Sequence, residues 1–125
     1  MTELNTTDAP RPAGHYAQGV RVGELIFVAG QVPRDQDGTY TPASVGTETH
    51  AALRNLAAVL EAGGANLSQV VKVTAYLGHA DYWTEFDRAY ALFFGASRPA
   101  RTTVVAGLRD VKVEIDAIAC LPKTT

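Results

Sequence analysis

Residues 111–120 have the sequence VKVEIDAIAC, and the alternation within this stretch determines the fold class. Successive side chains of a β-strand point to opposite faces of the sheet. One face of this strand is therefore entirely apolar, and we expect helices to cover it. The other face begins with charged side chains and ends with apolar ones. The two faces are formed by Val111, Val113, Ile115, Ala117 and Ala119 on the first, and by Lys112, Glu114, Asp116, Ile118 and Cys120 on the second.

Two helices are predicted upstream of this strand. Apolar residues recur at intervals of three and four over residues 42–62, which is the period of one helix face, and a glycine pair ends this helix. A second helix is predicted over residues 82–94, with Asp81 as its N-cap and Gly95 after its last residue. The predicted apolar faces consist of Val45, Thr49, Ala52, Leu53, Leu56, Val59 and Leu60 in the first helix, and of Trp83, Phe86, Tyr90, Phe93 and Phe94 in the second.

Four further segments have the composition of strands. They are residues 18–22, 25–29, 69–77 and 101–106, which are rich in β-branched and apolar residues. Two helices on one face of a mixed sheet give a two-layer α+β fold. The polar leader over residues 1–13 is expected to be a flexible arm, and residues 14–122 are expected to form a single domain.

Composition excludes several classes of function. The net charge of −2 and the pI near 5.8 provide no general attraction to nucleic acid or to an anionic membrane. No apolar run approaches the ~20 residues of a membrane span, and the leader lacks the basic-then-apolar order of a signal peptide. The one cysteine cannot form an intrachain disulfide, which favours a reducing compartment. A cytoplasmic protein is therefore expected, and the three scattered histidines predict no metal site.

The second face of the last strand predicts association. Two helices cannot cover both faces of the sheet, so Ile118, Cys120 and apolar residues of other strands would form an exposed patch. Such patches usually mark an interface. We therefore expect a homo-oligomer with charged groups near the interface between subunits. Cys120 could be a catalytic nucleophile or a buried structural thiol. The sequence favours the buried structural thiol.

Arg101 and Glu114 are the candidate functional pair. The short link over residues 107–110 predicts that their strands are antiparallel neighbours. If both side chains face the uncovered side, they share one cleft. Two interpretations remain open at this point. In the first, Arg101 and Glu114 form an ion pair between strands at the subunit interface. In the second, Arg101 binds a substrate carboxylate and Glu114 acts on a water molecule.

Four stretches, taken together and in order, resemble the YjgF/Rid family of enamine and imine deaminases. They are GHYAQGVRVGELIFVAGQVP (14–33), LRNLAAVLEAGGANLSQVVKVTAYL (53–77), FDRAYALFFG (86–95) and RPARTTVV (98–105) with VEIDAIAC (113–120). The resemblance implies a chorismate-mutase-like fold with a six-stranded mixed sheet, a homotrimer, and sites in clefts between subunits. It also implies the hydrolysis of reactive 2-imino acids to 2-keto acids and ammonia, without a cofactor.

The resemblance assigns roles to six residues. Arg101 matches the arginine that binds the substrate carboxylate, and Glu114 matches the carboxylate that holds the attacking water. The substrate-binding positions are matched by Tyr16, Gly30, Thr103 and Lys72. Thr103 stands where many members have cysteine, and Gly30 contributes backbone contact.

Three departures from the family pattern affect the expected substrate. His15 replaces a usual proline, Ala29 replaces a common serine, and Asp87 stands where the archetype has asparagine. The altered Ala29 and Asp87 motivate an alternative function, a regulatory trimer that binds small carboxylates without turnover. Ribonuclease activity, reported for some relatives, is disfavoured by the acidic net charge.

Overall fold

The computed structural model describes residues 1–123, which form a six-stranded sheet with two helices on one face. The elements are β1 (Thr2–Leu4), β2 (Gly19–Val22), β3 (Leu25–Gln31), α1 (Val45–Ala62), β4 (Val70–Leu77), α2 (Trp83–Phe94), β5 (Ala100–Val105) and β6 (Val113–Cys120). The sheet order is β1-β2-β3-β6-β4-β5, and only the pairing of β4 with β5 is parallel among these strands. The predicted two-layer α+β fold with a mixed six-stranded sheet is confirmed. Within residues 1–123, no helix has both the length and the hydropathy that crossing a membrane requires.

The position of β5 differs from the prediction. β5 is an edge strand parallel to β4, and β4 lies between β5 and β6, so the last two strands are not neighbours. Helix α2 is the crossover that a parallel pair requires. The seven residues 106–112 then return the chain past β4. A link of this length reaches easily across one strand, because strands lie about 4.8 Å apart and each extended residue spans about 3.3 Å.

The helix starts differ from the predicted positions because of their caps. Helix α1 starts at Val45, since the Ser44 side chain accepts a hydrogen bond from the Thr47 amide and acts as N-cap. Asp81 does not cap α2. It lies in a short 3₁₀ turn that His79 caps, and its own amide donates to His79 Nδ1 at 3.0 Å. Helix α2 then starts at Trp83 without a side-chain cap.

The two faces of β6 differ in burial as the alternation predicts. The four residues of its apolar face, from Val113 to Ala119, are all at most 2% exposed beneath the helices, and Val111, just before the strand, is 8% exposed. On the other face, no part of residues 1–123 forms a second layer, and Phe27 and Val104 remain 38% exposed. Cys120 is also exposed, so the expectation of a buried thiol is wrong for the single chain. The side of the sheet away from the helices is called the open face below.

The N-terminal residues are more ordered than the predicted flexible arm. Residues Thr2–Leu4 form the edge strand β1, which pairs with β2. Leu4 and Ala9 are buried in the core, at 6% and 2% exposure. The Gln18 side chain, which is also buried, bonds backbone groups of Thr6, Ala9 and Pro10. These contacts hold the N-terminal residues against the domain. Their polar composition did not indicate that a strand would pair with β2.

A buried carboxylate joins the first turn of α1 to the approach to β6. Glu48 is 1% exposed and accepts hydrogen bonds from the Tyr40 hydroxyl at 2.6 Å and from the amides of Ala43 and Lys112. The Lys112 ammonium pairs with it at 3.2 Å. Burial alone would raise the pKa of Glu48, but these hydrogen bonds outweigh burial and hold the pKa below its usual value. The ionised form of Glu48 therefore stabilises the fold.

Replacing Glu48 with Gln should lower the free energy of unfolding by about 2 kcal/mol at neutral pH, because an amide cannot accept all four hydrogen bonds. A carboxyl with a lowered folded-state pKa contributes stability above its unfolded pKa and loses it as the pH falls. Urea unfolding between pH 7 and pH 3 should therefore show a component in the wild type, lost below about pH 4.3, that Glu48→Gln lacks.

Glu61→Gln, on the exposed side of α1, is the matched control and should leave the unfolding curve unchanged. Equal stability of Glu48→Gln and the wild type across this pH range would contradict the role given to Glu48.

Candidate functional site

The guanidinium of Arg101 faces the helix layer. Arg101 pairs in register with Val73, which is fully buried under the helices, so the two side chains leave the sheet on the same side. Its Cζ lies 5.3 Å, 5.2 Å and 4.6 Å from the ring centroids of Trp83, Phe86 and Tyr90. Its Nη2 lies 2.9 Å from Asp87 Oδ1, and the Arg101 side chain is 17% exposed.

Helix α2 supplies all four of these partners, which we call the Arg101 cradle: Trp83, Phe86, Asp87 and Tyr90. Their spacing of three and four residues puts them on one stripe of the helix. Aromatic faces attract a cation, and a carboxylate adds a charged hydrogen-bond acceptor. The cradle therefore fixes the guanidinium before any ligand arrives. From the sequence, Trp83, Phe86 and Tyr90 were predicted to lie on an apolar helix face, although the same spacing could have indicated the cradle.

Glu114 lies on the open face and rests on the backbone of Gly30. β3 carries one extra residue between Val28 and Gln31 relative to β6, which is a β-bulge. A Cβ added to Gly30 would meet the carboxylate oxygen of Glu114, with Cδ at 3.0 Å and Cγ at 3.2 Å. The missing side chain of Gly30 therefore makes the space that the carboxylate occupies.

The surroundings of Glu114 favour its protonated form. Burial of the carboxyl raises the pKa of Glu114, and the negative charge of Asp116 on the same face raises it further. Asp116 itself accepts a hydrogen bond from the Tyr76 hydroxyl at 3.0 Å. A carboxylate with a raised pKa is a better general base than an ordinary one, because its proton affinity lies closer to that of its reactants.

Tyr16 shares a cavity with Gly30. Its side chain lines a cavity of about 220 Å³ together with Gly30 and Gln31, and the residue is 52% exposed. The Tyr16 hydroxyl accepts a hydrogen bond from the Ala13 amide at 3.3 Å. The structure thus brings Tyr16, Gly30 and Glu114 to one region.

Lys72 and Thr103 lie on opposite faces of the sheet. Lys72 pairs with Ile118 on the open face, and its Nζ donates to Thr102 Oγ1 at 3.0 Å. Thr103 pairs with the buried Ala75 and shares the helix side with Arg101.

The six predicted site residues therefore form separate groups within one chain. Arg101 and Thr103 lie on the helix side of the edge strand β5. Gly30 and Glu114 lie together at the open face, Tyr16 lines a cavity with Gly30, and Lys72 lies farther along the open face. The expectation that Arg101 and Glu114 are on neighbouring strands is wrong, because β4 separates them and they point to opposite sides. The ion pair that Arg101 makes is with Asp87.

Comparisons with known proteins agree on one family. The family described as Endoribonuclease L-PSP matches residues 6–121. A RutC family protein from Pyrococcus horikoshii is 41% identical over 91% of this chain and 93% of its own length. A 2-iminobutanoate/2-iminopropanoate deaminase from Escherichia coli is 37% identical over 93% and 94% of the two chains. The crystal structure of E. coli TdcF with bound serine has a TM-score of 0.92 at 29% identity, covering 98% of this chain and 100% of that one.

Replacing Gly30 with Ala should displace the Glu114 carboxylate, since the new methyl group needs the space that the carboxylate occupies. We expect a loss of about 1–3 kcal/mol of stability, as for other overpacked sites. We also expect the pKa of Glu114 to fall towards its usual value, because the carboxylate moves into solvent. Carboxyl ¹³C NMR of Glu114 across pH measures the second effect, and thermal unfolding measures the first.

Gly107→Ala provides the control, because a Cβ at Gly107 meets no atom within 4 Å. It should change stability by less than about 0.5 kcal/mol. A Glu114 titration that is the same in Gly30→Ala and in the wild type would show that Gly30 does not set the position of this carboxylate.

Proposed function

Because the chain belongs to the family described as Endoribonuclease L-PSP, which is the YjgF/Rid family, we propose that it is a hydrolytic deaminase. Its substrates would be 2-imino acids and their enamine tautomers, and its products 2-keto acids and ammonia. The observation that carries the proposal is the half-buried Glu114 carboxylate, which has a raised pKa and rests on Gly30 at an open sheet face.

Arg101 would bind the substrate carboxylate. A guanidinium can donate two parallel hydrogen bonds to a carboxylate, which fixes both the position and the orientation of the ligand. The Arg101 cradle supports this role, since a cation already held by three rings loses little freedom when a ligand binds.

Glu114 would act on the water molecule. The water oxygen forms a bond to the imine carbon while Glu114 takes one of its protons. That proton then goes to the amine nitrogen. The C–N bond breaks and ammonia leaves while the hydroxyl of the adduct gives its proton to Glu114 and becomes the carbonyl of the 2-keto acid. The protonated imine is already a strong electrophile, so positioning of the water and the carboxylate is sufficient and the proposed reaction uses no cofactor.

The remaining predicted residues would line the substrate. Gly30 would offer backbone groups beside Glu114, and Tyr16 would close one wall of the cleft. Thr103 would approach the substrate through its backbone from the side of Arg101. Lys72 has the weakest support, because its ammonium already bonds Thr102 on the open face.

A complete site would need a second copy of the chain. Arg101 and Glu114 lie on opposite faces of one sheet, whereas a small imino acid must touch both. We propose a homotrimer in which the β5 edge of one subunit meets the open face of its neighbour. The exposed apolar side chains of that face, such as Phe27 and Val104, support an interface there.

Two relatives support the chemistry. One is named 2-iminobutanoate/2-iminopropanoate deaminase, and the other, TdcF, holds serine, a small ligand with a carboxylate. The name of the family describes an endoribonuclease, but the net charge of −2 of this chain offers little attraction to RNA.

A second candidate is a trimer that binds small carboxylates without turnover. The ion pair of Arg101 with Asp87 favours this non-catalytic trimer. A ligand carboxylate has to share Arg101 with the carboxylate of Asp87. This candidate predicts saturable binding of 2-keto acids and no faster release of ammonia.

Imine hydrolysis tests the deaminase directly. An amino-acid oxidase generates 2-imino acids in place, and semicarbazide traps what the protein leaves. The wild type should reduce the trapped imine, and Arg101→Met should lose at least about 100-fold in activity, since it removes a charged bidentate contact but keeps the apolar stem on the rings.

Arg88→Ala, at an exposed arginine of the same helix layer, should retain wild-type activity. If the wild type leaves as much trapped imine as a control without protein, from alanine-like and from bulky amino acids, the deaminase is excluded. Equal activity of the wild type and Arg101→Met would show that Arg101 is not required.

A further inference from the structure

We propose that Asp87 determines the charge of the ligand at Arg101, favouring zwitterions over simple anions. This inference rests on the proposed role of Arg101 as the carboxylate-binding residue. It assigns to Asp87 a specificity role at that site: the zwitterionic 2-iminium acid is held, and the anionic 2-keto acid product is released.

The first observation is the ion pair itself. Asp87 Oδ1 contacts Arg101 Nη2 at 2.9 Å, and the side chains are 46% and 17% exposed. Within residues 1–123, Asp87 is the one acidic partner of Arg101. A guanidinium has five N–H donors, so donors remain for a ligand while the charge of Arg101 is already balanced.

The second observation is the space beside the pair. A cavity of about 340 Å³ is lined by Asp87, Tyr90, Arg101 and neighbouring residues at the start of β5. Arg101 brings its N–H donors to this cavity and Asp87 brings its carboxylate, so a ligand carboxylate that binds there lies next to both members of the pair.

The charge balance then decides which ligand fits. The Arg101–Asp87 pair has no net charge, and a ligand without net charge leaves the site neutral. A 2-keto acid adds one negative charge, and its carboxylate lies close to that of Asp87. Arg98 also lines the cavity, but it is exposed, so solvent and salt screen its attraction for the ligand. A 2-iminium acid carries its positive charge on the nitrogen bonded to C2, two bonds from the carboxylate carbon, and restores the balance. At such short range, the interaction of charges in a partly screened site changes affinity by about five- to tenfold.

Asparagine at this position would remove the discrimination. It keeps the size of the side chain and a hydrogen-bond acceptor but leaves the charge of Arg101 unbalanced, so anions should bind more tightly. Two probes of nearly the same shape isolate this effect, namely 2-oxobutanoate, an anion, and 2-aminobutanoate, a zwitterion.

Calorimetric titration of the intact protein with both probes tests the proposal. Asp87→Asn should bind 2-oxobutanoate about five- to tenfold more tightly than the wild type and bind 2-aminobutanoate within about twofold of it. In the imine assay, inhibition by 2-oxobutanoate should strengthen by the same factor. Asp87→Glu, which restores the charge, should behave as the wild type does.

Asp81→Asn is the matched control, because it removes the same charge from an 87% exposed side chain on the turn before α2. It should leave the affinity for both probes unchanged. Equal binding of 2-oxobutanoate by Asp87→Asn and Asp81→Asn would overturn the proposal, as would an equal gain for both probes.

The double variant Arg101→Met/Asp87→Asn separates this inference from the proposed function. The effect of Asp87→Asn should vanish in it. If Arg101→Met alone leaves the binding of both probes unchanged, Arg101 is not the carboxylate site, and the proposed function fails with the inference. If Arg101→Met abolishes binding and Asp87→Asn changes nothing, only the inference on Asp87 is overturned.

Discussion

The position of β4 between β5 and β6 is the constraint on which the account depends. It fixes the register that sends Arg101 to the helix side and Glu114 to the open face. With this strand order, the two charged groups lie on opposite faces of the sheet, on strands that β4 separates. The crossover through α2 makes the parallel pairing of β5 with β4 possible. Association is therefore part of the proposed site and not an addition to it.

Different local structural features position Arg101 and Glu114, the two halves of the proposed site. On the helix side, four residues of α2 surround one guanidinium, so orientation is supplied by rings and charge balance by Asp87. On the open face, a bulge and a glycine leave room for one carboxylate, whose partial burial raises its pKa. A positioned cation and a carboxylate with a raised pKa are what carboxylate recognition and water activation require. Both devices exist before a ligand binds.

The local features of the fold were accessible from the sequence, and the non-local ones were not. The alternation in β6 predicted its buried and open faces, since each side chain follows from its neighbours by a period of two. The partner of β5 depends on where the chain returns after α2, which no local pattern encodes. The pair of Asp87 with Arg101 depends on that same return. Gly30 was identified through family resemblance, but its reason, the carboxylate of Glu114 against its backbone, is visible only in three dimensions.

Mixed assemblies test the central claim that Arg101 of one subunit acts with Glu114 of its neighbour. Arg101→Met and Glu114→Gln subunits would carry different tags, be expressed together, and be purified on both tags in turn. In a mixed cyclic trimer, one interface of the three combines an intact Arg101 with an intact Glu114, so about a third of wild-type imine hydrolysis should return. Sites built within one chain would instead leave the mixed assembly as inactive as either parent, and that result would contradict the account.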